Sequence, residues 1–160
     1  LEPIIHGGGH ERTMRSGTLN VPSIVGLAKA TIKAKKLMKT ENQKLSELRN
    51  KLYDQLKKEI SCELNGALDN RLSHNLNIYI EGIEAKALIN EVKDIISISA
   101  GSACTTTEVK PSYVIQALGY DEERSYSSIR IGLSRFTTEE EVDVAAKTII
   151  DVVKRFRSIF

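Results

Sequence analysis

The chain has 160 residues, of which 41% are hydrophobic, enough to build one folded core. Its 23 basic and 21 acidic residues leave a net charge of +2, so there is no electrostatic case for a nucleic-acid partner. The two cysteines are far apart, and no signal peptide or membrane-length apolar span is present. These features predict a cytoplasmic protein with no membrane partner.

The hydrophobic pattern predicts an α+β fold, a short sheet with helices packed on one face. Two helices come first, one over about 22–38 and a second marked by an apolar stripe at helical spacing. The stripe consists of Leu45, Leu48, Leu52 and Leu56. Short strands are expected at 62–64, 75–80 and 95–99, with a helix at 84–92.

The second half of the chain adds a helix over 111–118, ended by Gly119, and a strand around Arg130. The last helix opens on Thr138-Glu139-Glu140-Glu141, which is a capping-box pattern. Its apolar side is formed by Val142, Ala145, Ile149, Val153 and Phe156. The chain shows no internal repeat and no linker, so we expect a single lobe over 1–160.

Cys104 lies in a run of small and hydroxylated residues that extends from Ser99 to Thr107. Glycine and alanine let the backbone move and leave the thiol open, which is typical of an exposed nucleophile. Such a thiol also needs an electropositive neighbour to react as a thiolate. Composition alone fits an unreactive loop cysteine as well. Cys62 is interpreted as a half-buried strand residue without chemistry.

Arg130 belongs to an alternating segment in which Ile129, Ile131 and Leu133 share one face. Arg130 therefore points away from the core, with Ser128, Gly132 and Ser134 on its own face. These small neighbours leave room for a planar anion, and a guanidinium binds a carboxylate through two parallel hydrogen bonds. The alternative is an ordinary solvated arginine on a strand.

Thr18 follows Ser16 and Gly17 just ahead of a helix start marked by Asn20 and Pro22. A helix N-terminus offers backbone N–H donors to a phosphate, so this segment is a candidate anion site.

The sequence predicts no metal site. His6 and His10 are four residues apart, but the glycines between them rule out a stable helix face. The Gly7-Gly8-Gly9 run fits no Walker motif and indicates a tight backbone path near a ligand or partner chain.

Four ordered stretches together carry a family resemblance: 3–12, 14–20, 75–78, and 99–141 from the cysteine loop through Arg135-Phe136-Thr137-Thr138. They resemble the C-terminal part of the NifS/IscS-like cysteine desulfurases, which are pyridoxal-phosphate enzymes of the class V aminotransferase family. The match is to members with a Gly-Ser-Ala-Cys active loop. The resemblance implies the small C-terminal lobe of a fold-type-I enzyme.

The resemblance also assigns roles to three residues. Cys104 would be the nucleophile that takes the substrate sulfur as a persulfide, and Arg130 would hold the substrate carboxylate. Thr18 would contact the phosphate of pyridoxal 5'-phosphate in the other subunit. Residues 1–20 would therefore form a dimer and cofactor contact within a homodimer.

The chain departs from the family pattern because none of its lysines stands in the context of the Schiff-base lysine. We expect the large domain with that lysine upstream of Leu1, and the isolated chain to be inactive. Minor departures are Thr13 where glycine is usual, and Ser73-His74 where Pro-Gly is usual.

The implied function is a desulfurase that converts L-cysteine to L-alanine. Its persulfide sulfur would pass to an acceptor scaffold protein, IscU/NifU-like, for iron-sulfur cluster assembly. A non-catalytic sulfur-acceptor docking module and a selenocysteine lyase are the alternatives.

Overall fold

A computed structural model describes residues 2–101 and 111–159 of the chain. The fold is α+β, as the sequence predicts. The helices are α1 (Val21–Glu59), α2 (Ala85–Val92), α3 (Tyr113–Ala117), α4 (Glu122–Tyr126) and α5 (Glu139–Ile159). The strands are β1 (Glu63–Leu64), β2 (Asn75–Tyr79), β3 (Ser99–Ala100) and β4 (Ser128–Gly132).

The four strands form one antiparallel sheet in the order β1-β2-β4-β3. β2 and β4 pair along their full length, with Leu76 opposite Ile131 and Ile78 opposite Ile129. Directly opposite residues point to the same face of a sheet, so these four apolar side chains form one continuous face. β4 lies between β2 and β3, which makes the strand of Arg130 a central strand.

Helices cover the apolar face of the sheet. The second half of α1 contributes the predicted leucine stripe, in which Leu52 and Leu56 are 1% and 0% exposed. Leu88 and Val92 of α2 and Ile149 of α5 belong to the same buried cluster as the strand residues. The expected single core is therefore present within residues 40–160, which form one of two compact units.

The prediction of two separate helices at the start is wrong, because α1 runs unbroken from Val21 to Glu59. The polar stretch from Lys39 to Lys44 resembles a boundary in its hydrophobic pattern, yet it contains neither proline nor glycine. Every residue type in it is compatible with a helix, so nothing ends the first helix there.

The strand predicted at 95–99 is also mostly wrong, because only Ser99 and Ala100 pair with β4. The backbone N–H groups of Ile95 and Ile96 both donate to the carbonyl of Val92, at 3.0 and 2.9 Å. These bonds continue the last turn of α2, so the apolar residues that follow it do not enter the sheet.

The capping box that opens α5 is confirmed. The backbone N–H of Glu141 donates to Thr138 Oγ1 at 3.2 Å, and the N–H of Thr138 donates to Glu141 Oε2 at 3.0 Å. Two otherwise unpaired helix-end donors are thereby satisfied.

Within the described ranges, no helix combines the length and the apolarity needed to cross a bilayer.

Residues 1–39 form the other compact unit. A short 3₁₀ turn over Glu11–Thr13 places three consecutive non-glycine residues at positive φ, and Thr13 has a φ of 66°. This conformation is unfavourable for a β-branched residue, whereas glycine adopts it without strain.

Candidate functional site

Arg130 lies at the middle of β4, and its side chain is exposed on the polar face of the sheet. Its direct neighbours across the sheet are Ser99 on β3 and Asn77 on β2. Because Arg130 sits on a central strand, its backbone is held from both sides. The sequence prediction that Arg130 points away from the core is confirmed.

Among the residues that the structure describes, Ser99 orients the guanidinium of Arg130. Its Nε donates to Ser99 Oγ at 3.2 Å, which uses one of the five N–H groups of the side chain. Among the described residues, no carboxylate forms an ion pair with Arg130. Its outer N–H groups are therefore available to an anionic ligand from outside this part of the chain.

A cleft of about 440 Å³ opens beside Arg130. It is lined by side chains from the ends of β2 and β4 and from the segment that leads into β3. The lining residues are Leu72, His74, Asn75, Ser97, Ile98, Ser99, Arg130 and Gly132. The cleft has room for a small amino acid, and Arg130 is the charged residue in this lining.

The opposite side of Arg130 along β4 is filled by a polar network. Asn65 Nδ2 donates to Asn77 Oδ1 at 2.7 Å and to Ser128 Oγ at 2.8 Å. Ser128 Oγ in turn donates to the carbonyl of Arg124 at 2.6 Å. These bonds fix the polar face of β2 and β4 next to Arg130 and leave the Gly132 side as the open one.

The predicted nucleophile, Cys104, lies outside the described residues. The two ends of its segment are described and lie side by side: a Cβ added at Gly101 would come 2.5 Å from Cβ of Ser112. Gly101 follows β3, whose Ser99 faces Arg130. The segment that carries Cys104 therefore starts two residues after the direct neighbour of Arg130.

Cys62 is fully packed and differs slightly from its prediction. It is 7% exposed rather than half-buried, and it precedes β1 rather than belonging to it. Burial raises the pKa of its thiol to about 11, although Lys57 and Arg157 act in the opposite direction. A buried thiol with this pKa is a poor nucleophile near neutral pH, which agrees with its assignment to packing.

Thr18 is exposed in the loop before α1, in the unit formed by residues 1–39. The guanidinium of Arg15 clamps this loop, because its Nη1 donates to the carbonyls of Gly17 and Thr18, both at 3.1 Å. Gly17 has a φ of 96°, which favours glycine. The guanidinium of Arg15 therefore holds the backbone on which the exposed Thr18 is carried.

The N-terminus of α1 offers fewer free backbone N–H donors than the sequence predicted. The N–H of Val21 donates to the carbonyl of Leu19, and the N–H of Ser23 donates to Asn20 Oδ1. Pro22 has no N–H, and the N–H of Ile24 donates to the carbonyl of Asn20. The first four positions of α1 therefore have no spare donor for a phosphate, which corrects the expectation of free amide donors.

Sequence reasoning found Arg130 and the space created by Gly132, but it assigned no role to Asn75 or Ser99. The available signal was the alternation of Asn75 and Asn77 along a strand, which places both amides on the polar face. Among the described residues, no group of three potential metal-ligating side chains is close enough to hold an ion.

Comparison with known proteins defines the class of this chain. The model of the aminotransferase class-V family matches residues 5–144. The chain therefore belongs to the aminotransferase class-V family.

Curated relatives place the chain more narrowly. It is 46% identical over 159 residues to the cysteine desulfurase IscS of Histophilus somni strain 2336, and 45% identical to that of Pseudomonas putida strain W619. Each alignment covers 99% of this chain and 39% of the relative, so the chain spans well under half of their length.

Solved structures agree with this result. A NifS-like protein has a TM-score of 0.81 and 32% identity, over 96% of this chain and 39% of the other. A NifS-like protein from Rickettsia africae has a TM-score of 0.78 and 28% identity, and the match covers 96% of this chain and 40% of that protein. The predicted resemblance to NifS/IscS-like proteins is confirmed.

Proposed function

We propose that the protein containing this chain is a cysteine desulfurase that converts L-cysteine to L-alanine and retains the sulfur as a persulfide. One observation carries the proposal most directly. Arg130 lies on a central strand beside an open cleft. Its direct neighbour across the sheet is Ser99, which precedes Cys104 by only five residues in the sequence. Relatives named cysteine desulfurase IscS support the same activity.

Arg130 is proposed to bind the substrate carboxylate. Its outer N–H groups carry no ion pair with a described residue, and a guanidinium pairs with a carboxylate through two parallel bonds. Ser99 holds the guanidinium by accepting from Nε, so the fork is oriented before the substrate arrives. The carboxylate would thereby fix the amino acid in the cleft with its side chain free to reach a nucleophile.

Cys104 is proposed to accept the sulfur. Its thiolate would form a bond to the substrate sulfur while the bond between that sulfur and the substrate Cβ breaks. The substrate Cβ takes up one proton, which balances the proton that Cys104 loses when its thiolate forms, and L-alanine is released. The transferred sulfur stays on Cys104 as a persulfide together with the substrate's thiol proton.

Pyridoxal 5'-phosphate, when bound, would supply the electron sink that makes cleavage of the carbon-sulfur bond possible. Thr18 fits a contact with its phosphate, because this residue is exposed in a loop whose backbone is held by Arg15. The lysine that attaches the cofactor is proposed to lie in a large domain outside this chain, and residues 1–20 to contact the cofactor of the other subunit in a homodimer. A scaffold protein would accept the sulfur for iron-sulfur cluster assembly.

The proposed function is tested in the full-length enzyme by following the sulfur. The enzyme is incubated with L-cysteine, trapped with iodoacetamide and analysed by peptide mass. We expect the added sulfur on Cys104, and we expect Cys104→Ala to lose both persulfide and alanine formation while the fold is kept. Cys62→Ala is the matched control, because its thiol is buried and should leave turnover unchanged.

The same measurements separate the alternatives. Sulfur that arrives on Cys104 only from a donor protein, with no alanine formed, would favour a sulfur-acceptor docking module. Alanine formation from selenocysteine but not from cysteine would favour a selenocysteine lyase. A persulfide on Cys62 would overturn the assignment of the nucleophile.

A further inference from the structure

Two asparagines on the polar face of β2 differ in how they are bonded. Asn77 is tied into the protein, because its Oδ1 accepts from Asn65 Nδ2 at 2.7 Å. Asn75, two residues earlier on the same face, has a buried Oδ1 with no hydrogen-bond partner among the described residues. An unpaired buried amide oxygen is costly, so a native protein normally gives it a partner. No described residue therefore holds the Asn75 amide in one orientation, and either end of the group can face a bound molecule.

Asn75 borders the cleft of Arg130. It lies directly opposite Gly132 in the register of β2 and β4, so the two residues share one face of the sheet. Arg130 is its diagonal neighbour on that face, at a spacing of about 7–8 Å between Cα atoms. Both side chains line the same cleft. A group lying in the cleft can therefore reach the guanidinium and the amide together.

Gly132 keeps the space between these two side chains open. A Cβ added at Gly132 would meet nothing within 4 Å, and its φ lies outside the left-handed region. Neither a close contact nor the backbone conformation requires glycine there. What the missing side chain provides is free volume directly beside Arg130.

We infer that Asn75 is a further substrate-binding residue, which donates a hydrogen bond to the carboxylate of the small amino acid held by Arg130 above Gly132. The inference rests on the proposed function. A primary amide carries both a donor and an acceptor, and rotation of the group presents Nδ2 to a carboxylate oxygen. Arg130 and Asn75 then bind the carboxylate from two sides, and Gly132 sets how large a group fits between them.

The test compares the two asparagines in the full-length enzyme. Asn75→Ala should raise the KM for L-cysteine about tenfold, as expected for the loss of one hydrogen bond to a charged group, and change kcat by less than about twofold. Its melting temperature should stay near that of the wild type, because no described bond is lost. Asn77→Ala should do the reverse: it should lower the melting temperature and leave the KM within about twofold.

Gly132→Ala provides a steric test that does not depend on hydrogen bonding. The added methyl group enters open space, so the fold should be kept while the KM for L-cysteine rises several-fold. A KM unchanged in both Asn75→Ala and Gly132→Ala would overturn the inference. So would an Asn75→Ala variant that loses thermal stability as Asn77→Ala does with no change in KM, because Asn75 would then be structural.

A binding measurement separates failure of this inference from failure of the proposed function. The side-chain amide signals of Asn75 are followed by NMR while the full-length protein is titrated with L-alanine, which carries the carboxylate but no sulfur. We expect them to shift in the wild type and not in Arg130→Ala. If the enzyme forms no alanine from cysteine and the shift is still seen, the proposed function fails while the carboxylate site stands. If it is active and the Asn75 signals do not move, the inference alone fails.

Discussion

Arg124 and Asn65 are 59 positions apart in the sequence, yet Arg124 Nε donates to Asn65 Oδ1 at 2.7 Å. The same guanidinium donates to the carbonyl of Leu64 and stacks on the ring of Tyr120, 3.9 Å from its centroid. Asn65 Nδ2 in turn donates to Asn77 Oδ1 and to Ser128 Oγ. The polar face around Arg130 is thus organised from a residue on α4.

Arg124→Lys should destabilise the fold by about 2 kcal/mol, because an ammonium cannot reproduce the planar fork or the stacking. The midpoint of urea unfolding checks this expectation. Glu63→Gln is the matched control: Glu63 also pairs with Arg124 at 2.6 Å, but its side chain is 65% exposed. Its loss should cost at most about 0.5–1 kcal/mol. Equal effects of the two changes would contradict a central role of Arg124.

Arg130→Lys should lower kcat/KM for L-cysteine about tenfold in the full-length enzyme, mainly through KM. The charge is kept, but the bidentate contact with the carboxylate is lost, and such bonds are worth roughly 1.5–3 kcal/mol each. Steady-state kinetics provide the measurement. Arg135→Lys is a suitable control, because the guanidinium of Arg135 forms an ion pair with Glu41 of the same chain at 3.3 Å. It should leave the kinetics unchanged. Unchanged kinetics in Arg130→Lys would contradict a bidentate bond between Arg130 and the substrate carboxylate.

Cys62 should make stability fall with rising pH between about 9 and 11. Burial raises the pKa of its thiol from 9.0 to about 11, so the unfolded chain loses this proton first. The contribution of Cys62 is therefore complete below pH 9 and lost as pH rises through 11, at most about 3 kcal/mol.

Urea unfolding at several pH values measures this alkaline slope. Cys62→Ala should be less stable than the wild type at pH 7 but show a shallower decline above pH 9. A residual slope is expected from Tyr53, whose pKa is also raised, first by burial. An identical slope in the variant and the wild type would show that the Cys62 thiol does not titrate as argued.

Gly101→Ala should destabilise the protein by about 1–3 kcal/mol, because the new Cβ would lie 2.5 Å from Cβ of Ser112. Thermal unfolding checks the loss. The double variant with Ser112→Gly removes the atoms that collide and should recover most of the stability. A double variant no more stable than Gly101→Ala alone would show that the clash is not the cause.

The 160-residue chain alone should not bind pyridoxal phosphate covalently, since the attaching lysine is proposed to lie elsewhere. The chain is incubated with the cofactor, reduced with borohydride and mapped by peptide mass. We expect no stoichiometric adduct at a single lysine. Such an adduct, together with alanine formation from cysteine, would contradict the proposed division of the protein.

The sequence predicts features that depend on local chemistry. The capping box of Thr138 and Glu141 is set by residues three apart, and the alternation around Arg130 is set by the pleat of a single strand. Both predictions are confirmed, and so is the helix at 84–92, which the structure begins at Ala85.

Features that depend on long-range pairing were not predicted. The strand predicted at 95–99 is a different case, because there the local bonds of the Ile95 and Ile96 N–H groups to the carbonyl of Val92 override the apolar pattern. The bond between Arg124 and Asn65, and the contrast between Asn75 and Asn77, require the register of distant segments. No pattern within one segment contains that register, so these residues were identified only in the folded chain.

The position of Arg130 on a central strand also determines how binding is linked to unfolding. β4 is bonded to β2 along its length and to β3 on its other side, so its amides should open to hydrogen exchange only when the whole unit opens. A carboxylate that binds Arg130 as proposed would bind the folded unit and not the unfolded chain. Its binding energy therefore adds in full to stability, about 2.7 kcal/mol at a ligand concentration one hundred times its Kd.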